Sequence, residues 1–114
     1  FKLPVSHHID FALCDETGEV TSLVEVRRSN FNHNKYPTFF FSVRKRMTSL
    51  ALANDMGVAA LIAVRWDDGV YVIDMAEAPD KTTINGNKKR NDGHDIEPVH
   101  HYAIERFSFL GVLQ

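Results

Sequence analysis

The sequence predicts a mixed α/β sandwich in which a β-sheet packs against one helix. Two stretches have the pattern of a hairpin, "HIDFALCDETGEVTSLVEVRR" and "VAALIAVRWDDGVYVIDMA". A stretch with helical periodicity lies between them, and the end of the chain returns to a strand-like pattern. The expected order is therefore β-β-α-β-β, a long loop, and a final strand.

The first hairpin has a clear turn. Apolar residues alternate through "HIDFALC", which is the period of a strand, and "DETGE" supplies a turn in which Gly18 can take positive φ. The β-branched run "VTSLVEVRR" then forms the second strand. We expect Cys14 to be a buried strand residue, because a lone cysteine can form neither an internal disulfide nor a Cys-based zinc site.

A helix is predicted from Ser42 to Gly57, where the glycine suits a helix C-cap. Its basic and polar positions, such as Arg44, Lys45 and Arg46, can face away from the core. The expected inward face consists of Val43, Met47, Leu50, Ala51 and Met56.

The second hairpin turns at "DDG", and its first strand is apolar throughout. We expect that strand to be central and covered on both faces. Residues 77–98 form a long polar loop, which is either functional or disordered and carries Lys88, Lys89 and Arg90. The last stretch, "VHHYAIERFSFLGVL", predicts a strand and an apolar tail that packs back.

Length and composition indicate one domain over residues 1–114. The chain is 44% hydrophobic and 25% charged, as soluble globular proteins are. Its formal charge of -2 provides no global attraction to nucleic acid, so binding would need a local patch. There is no long apolar run and no signal-peptide pattern, and we expect a cytoplasmic protein.

Two acidic residues emerge from the first hairpin. Asp10 lies on its first strand and Glu25 on its second, so the hairpin can bring the two carboxylates together. Two like charges at such a short distance repel each other unless a cation lies between them. Oxygen ligands of this kind suit Mg²⁺ or Mn²⁺. Arg27 projects from the same strand face as Glu25, where it can neutralise a phosphate.

This arrangement resembles the PD-(D/E)XK, or restriction-endonuclease-like, nuclease superfamily, and more closely its small phage and prophage members. The matching stretches are "VEVRRSNFNHNKYPTFFFSVRKRM", "VRWDDGVYVI" and "DIEPVHHYAIERF", and the similarity runs from about His8 to Phe107. The resemblance implies a mixed β-sheet with a helix directly after the second strand. Many members have an acid on an N-terminal helix, which we expect to be missing from this sequence.

The resemblance also implies roles for individual residues. Asp10 and Glu25 would bind Mg²⁺ or Mn²⁺ together with the carbonyl oxygen of Val26. Arg27 stands where the superfamily usually has lysine, and Lys45 on the following helix can place an ammonium group in the same cleft. Further contacts to DNA phosphates are expected from Arg28, Lys35 and Arg44.

Two functional hypotheses remain open. The first is metal-dependent hydrolysis of DNA phosphodiester bonds in a bacterial or phage-infected cell, by a homodimer that reaches both strands. The second is a catalytically silent nuclease fold that serves in nucleic-acid binding or assembly, which Arg27 favours. Each acid alone is also typical of an exposed strand, and the histidines are expected to face solvent. The aromatic residues are predicted to lie in the core or an interface first, and to stack on bases only second; they are Phe39, Phe40, Phe41, Trp66 and Tyr71.

Overall fold

The computed structural model describes residues 10–85 and 97–112 of the 114-residue chain. Within these ranges lie eight strands and one α-helix, with a short 3-10 helix at Ile104–Arg106. In chain order the elements are β1 (Phe11–Cys14), β2 (Val20–Arg28), β3 (Thr38–Ser42), α1 (Val43–Met56), β4 (Ala59–Trp66), β5 (Gly69–Asp74), β6 (Lys81–Asn85), β7 (Glu97–Ala103) and β8 (Ser108–Gly111).

The larger sheet has five strands in the order β1-β2-β4-β5-β8. Only β2 and β4 are parallel in this sheet, because the chain leaves β2, forms β3 and α1, and returns along β4. Parallel neighbours require such a crossover. The carboxyl ends of β2 and β4 therefore lie at one sheet edge, and β1 begins beside them.

The smaller sheet is antiparallel, in the order β3-β7-β6. Aromatic rings join the two sheets: the ring of Trp66 on β4 lies 6.0 Å from Phe39 on β3 and 5.5 Å from Phe107. The core between them includes Tyr102 and Ile62, both fully buried. These contacts make one mixed α/β unit, as the sequence predicts.

The predicted position of the helix is wrong by one element, because α1 follows the third strand and not the second. The Phe39–Phe41 run forms β3, whose partner β7 lies some sixty residues later in the chain, and a local pattern does not reveal so distant a pairing. Part of the predicted 77–98 loop is also strand, in β6 and the start of β7. Residues 86–96, with Lys88, Lys89 and Arg90, lie outside the described residues.

Both helix caps form as expected, but the helix face that packs on the core is not the predicted one. The Ser42 hydroxyl accepts a hydrogen bond from the Lys45 N–H at 3.3 Å, and Gly57 takes a left-handed φ of 71°. Met47, by contrast, is 64% exposed, and the buried residues are Ser49 and Ala53. Small side chains let the helix pack closely on the sheet, which a count of apolar residues does not predict. Within the described ranges, no helix is both long and apolar enough to cross a bilayer.

Both hairpins form, but the coverage of the larger sheet differs from the prediction. Cys14 is exposed at the end of β1, and the β4 side chains opposite the core are only partly buried. In the described part of the chain, this outer face carries a shallow apolar groove. It is lined by Phe11, Leu13, Val24, Val26, Leu61, Ala63, Val72 and Leu110.

Two histidines expected at the surface are buried instead. His100 shares a hydrogen bond with the Thr82 hydroxyl at 2.7 Å, and His101 shares one with the Thr83 hydroxyl at 2.6 Å. Burial lowers the pKa of both rings. These side chains therefore join β7 to β6 as part of the core.

Candidate functional site

Glu25 is the central acidic residue of the candidate site. Its side chain is 1% exposed on β2 and faces the core. The oxygen Oε1 accepts hydrogen bonds from Arg27 Nη1 at 2.6 Å and from Lys45 Nζ at 3.0 Å. The oxygen Oε2 is also buried but has no hydrogen-bond partner among the described residues. One oxygen of this carboxylate therefore pairs with two cations, and the other has no partner in the described part of the chain.

Local structure explains why the two cations meet this carboxylate. Side chains two residues apart on a strand share a face, so Arg27 lies beside Glu25. Lys45 reaches the same oxygen from the first turn of α1, where the bond to Ser42 fixes its backbone. A buried charge is tolerated when it is paired in this way.

Asp10 lies immediately before β1, next to the Glu25 segment. Its Oδ2 accepts a hydrogen bond from the Val26 N–H at 3.0 Å. The registration of β1 with β2 pairs Phe11 with Val24, so each acid is next to a member of this pair. The Val26 carbonyl accepts a bond from Arg27 Nη1 at 3.1 Å. The structure thus brings the predicted residues Asp10, Glu25 and Val26 to one edge of the sheet.

These oxygen atoms are of the chemical type that binds divalent cations. Within the described residues there is no group of three or more His, Cys, Asp or Glu side chains that could hold a metal. Mg²⁺ commonly uses only one or two protein carboxylates and retains several waters. Asp10, the unpartnered Glu25 oxygen and the Val26 carbonyl provide such hard ligands, and the unpartnered oxygen supports the fit most directly.

A groove of about 410 Å³ lies beside this edge, and we call it the cationic groove. The guanidinium of Arg27 lies over the ring of Phe41, 5.5 Å from its centroid. Three positive side chains and one acid, Glu97, line this opening, and two of the cations pair with Glu25. The lining residues are Arg27, Phe40, Phe41, Ser42, Arg44, Lys45, Glu97 and Val99.

The other predicted phosphate contacts lie elsewhere. Arg28 is at the exposed end of β2, paired in register with Arg65, and lines a separate cavity of about 80 Å³. The Lys35 ammonium lies 5.2 Å from the ring centroid of Phe31. The structure thus places Arg44 in the cationic groove but neither Arg28 nor Lys35.

Sequence reasoning missed a polar cluster around His33. Asp68 accepts a hydrogen bond from the His33 N–H at 2.8 Å, and its Oδ2 bonds the ring atom Nδ1. The Tyr71 hydroxyl lies 3.1 Å from the same nitrogen. Burial alone would oppose ionisation of Asp68, but the His33 bonds lower its pKa. The partners are 35 or more residues apart, so no motif reveals them.

Comparison with known proteins identifies a relationship over nearly the whole chain. The family model described as "Phage putative PDDEXK endonuclease" matches residues 1–110. No curated protein matches the chain significantly, and no solved structure does.

Proposed function

Because this chain belongs to the phage PDDEXK endonuclease family, we propose that it is a metal-dependent nuclease that hydrolyses phosphodiester bonds of DNA. In this proposal Asp10, Glu25 and the Val26 carbonyl hold Mg²⁺ or Mn²⁺. Arg27, Arg44 and Lys45 bind the phosphate backbone. The protein would act in the cytoplasm of a bacterial host.

One observation carries the proposal: the buried Glu25 carboxylate pairs with two cations through one oxygen, while its other oxygen has no hydrogen-bond partner in the described part of the chain, and Asp10 bonds the N–H of the next residue, Val26. A purely structural acid would be expected to use both oxygens in hydrogen bonds, because an unpartnered buried oxygen costs stability. A buried acidic oxygen without a partner in the described residues, close to a groove lined by cations, therefore supports a binding role.

The cations have different parts in the proposed chemistry. The Arg27 guanidinium stays charged and can clamp a phosphate with two parallel bonds, but it cannot act as a base. The Lys45 ammonium, 3.0 Å from Glu25, supplies the lysine that the triplet itself lacks. Both side chains place positive charge where negative charge increases as the phosphodiester bond breaks. When bound, a divalent cation supplies Lewis-acid stabilisation of the phosphate and lowers the pKa of water.

Plasmid cleavage with Mn²⁺ tests this function. The wild-type protein should cut the plasmid, and Asp10→Asn and Glu25→Gln should each lower the rate at least a hundredfold, roughly the loss expected when a charge-stabilising group is removed. Glu19→Gln is the matched control, since that acidic side chain is exposed near the β1–β2 turn.

Equal cleavage by all four proteins would identify a contaminant and overturn the assignment. Calorimetric titration with Mn²⁺ provides a second measurement. It should give heat of binding with the wild type and with Glu19→Gln, but not with Glu25→Gln.

The catalytically silent binding module remains the second candidate, and the same site contains an observation that favours it. The groove lining has three positive side chains against one acid, Glu97, so it carries excess positive charge even without a metal. Such a groove can hold phosphates without cutting them. DNA binding in EDTA, combined with no cleavage in Mn²⁺, would select this function.

We also propose that the active protein is a homodimer.

A further inference from the structure

A second cavity shares the lining residue Phe40 with the cationic groove. Its volume is about 500 Å³, within the range of small-ligand sites, and we call it the aromatic cavity. Most of its wall is ring surface, with one imidazole. The rings that line it belong to Phe31, His33, Tyr36, Phe39, Phe40 and Trp66.

The rings are held by one another and not by the loop alone. Phe31 and Tyr36 meet edge to face with centroids 5.2 Å apart, and Phe39 meets Trp66 in the same way at 6.0 Å. Edge-to-face pairs are favourable and fix ring orientation. Yet Tyr36 is 53% exposed and Phe40 is 50% exposed, so ring surface remains uncovered at the cavity mouth.

One imidazole is held in a fixed orientation among these rings. The His33 ring stacks on Tyr71 with centroids 4.4 Å apart, and its Nδ1 is committed to Asp68 and Tyr71. The other ring nitrogen, Nε2, has no partner among the described residues. An oriented imidazole in an aromatic wall can form one directed hydrogen bond to a planar heterocycle.

The aromatic cavity lies close to the place proposed for the phosphates, because the two linings share Phe40. Phe40 lines both openings, and Ser29, which lines the cavity, lies two residues after Arg27, which lines the groove. A nucleic acid strand whose phosphate lies against Arg27 and Lys45 therefore has a ring-lined space next to it. Aromatic side chains beside a positively charged groove are the arrangement by which proteins hold single strands.

We propose that the aromatic cavity binds one unpaired nucleobase of the strand whose phosphate occupies the cationic groove. The substrate would then be single-stranded DNA, or duplex DNA from which one base has been extruded. This inference rests on the proposed nucleic-acid function and specifies the substrate form. The rings provide stacking surface, and His33 Nε2 provides the hydrogen bond to the base edge.

The test compares two short oligonucleotides of equal length and charge: an oligothymidylate and its fully abasic counterpart. Binding is measured in EDTA, so that no cleavage occurs. Oligothymidylate should bind about tenfold more tightly, as expected for the stacking of one base. It should also quench tryptophan emission saturably, and Trp66 is the only tryptophan in the chain.

Matched aromatic truncations locate the effect. Tyr36→Ala should bring the affinity ratio close to one, while Phe11→Ala should leave it unchanged, because Phe11 lies on the outer face of the larger sheet and does not line this cavity. Equal affinity of the wild type for the two oligonucleotides, or the absence of quenching, would overturn the proposal without any variant. Base-dependent binding without Mn²⁺ cleavage of either the plasmid or the oligothymidylate would reject the nuclease assignment alone, and cleavage with base-independent binding would reject the aromatic cavity alone.

Discussion

Glu25 is a buried acid that forms ion pairs with two cationic side chains. Both of its cations contact the same oxygen, although Arg27 is 32% exposed and Lys45 is 45% exposed. Solvent therefore weakens each ion pair, while the carboxylate itself is almost completely buried. We expect the two cations to substitute partly for each other as partners of this carboxylate.

Removing the cations should show that they act together. Arg27→Met and Lys45→Met should each lower the free energy of unfolding by about 1 kcal/mol, because one partner of Glu25 remains. The double variant should lose about 1–3 kcal/mol more than the sum, since the buried carboxylate then has no counter-charge. Urea denaturation measures all three values.

Arg44→Met is the control for this double-mutant cycle. Arg44 is exposed on the same helix and makes no ion pair within the described residues, so its loss should change stability by less than about 0.5 kcal/mol. Strictly additive effects of Arg27→Met and Lys45→Met would contradict the shared role.

At the scale of elements, the packing of α1 depends on small residues. Ser49 and Ala53 are each 1% exposed, whereas the larger Met47 points to solvent. A narrow stripe of small side chains leaves little free volume between the helix and β4. This close packing brings the first turn of the helix, with Lys45, within reach of β2.

Enlarging that stripe should destabilise the protein. Ala53→Leu should lower the free energy of unfolding by about 1–3 kcal/mol, because the added carbons overpack a close-packed interface. Ala51→Leu makes the same chemical change at an exposed position of the same helix, and should change stability by less than about 0.5 kcal/mol. Thermal or urea unfolding distinguishes the two; similar losses at both positions would mean that α1 does not pack as described.

At the scale of the whole molecule, the two faces of the larger sheet differ. One face carries the core, the helix and the smaller sheet. The outer face is apolar in the described residues, with Leu13 at 47% and Leu110 at 65% exposure. Contiguous exposed apolar surface often marks an interaction site, and a second copy of this chain is the partner that the homodimer proposal supplies.

The dimer can be tested on this face. Sedimentation of the wild type should show a dimer, and Leu13→Glu should shift it to monomer by placing a charge in the apolar groove. Met47→Glu introduces the same charge at a site that is 64% exposed on α1, and should leave the dimer intact. A wild type that sediments as a monomer would contradict the proposal.

Local sequence patterns were enough for the hairpins and for the helix ends. Strand alternation, Gly18 at the first turn, the "DDG" turn and Gly57 at the C-cap each depend on neighbours in the chain, and the structure contains all of them. The family resemblance was equally readable from the chain and is confirmed. The inner face of α1 could not be predicted from the chain. The space between the helix and the sheet accommodates Ser49 and Ala53 and not larger apolar residues.

The sequence by itself determined a hairpin that can present Asp10, Glu25 and the cationic Arg27. Only the tertiary structure decided that Lys45 shares a Glu25 oxygen and that the other oxygen has no partner among the described residues. It also decided that β3 joins the distant β7 and that His33 meets Asp68 beside an aromatic cavity. The physical reason is range: turns and caps are set by backbone preferences over a few residues, whereas buried charges and cavities depend on which distant segments pack together.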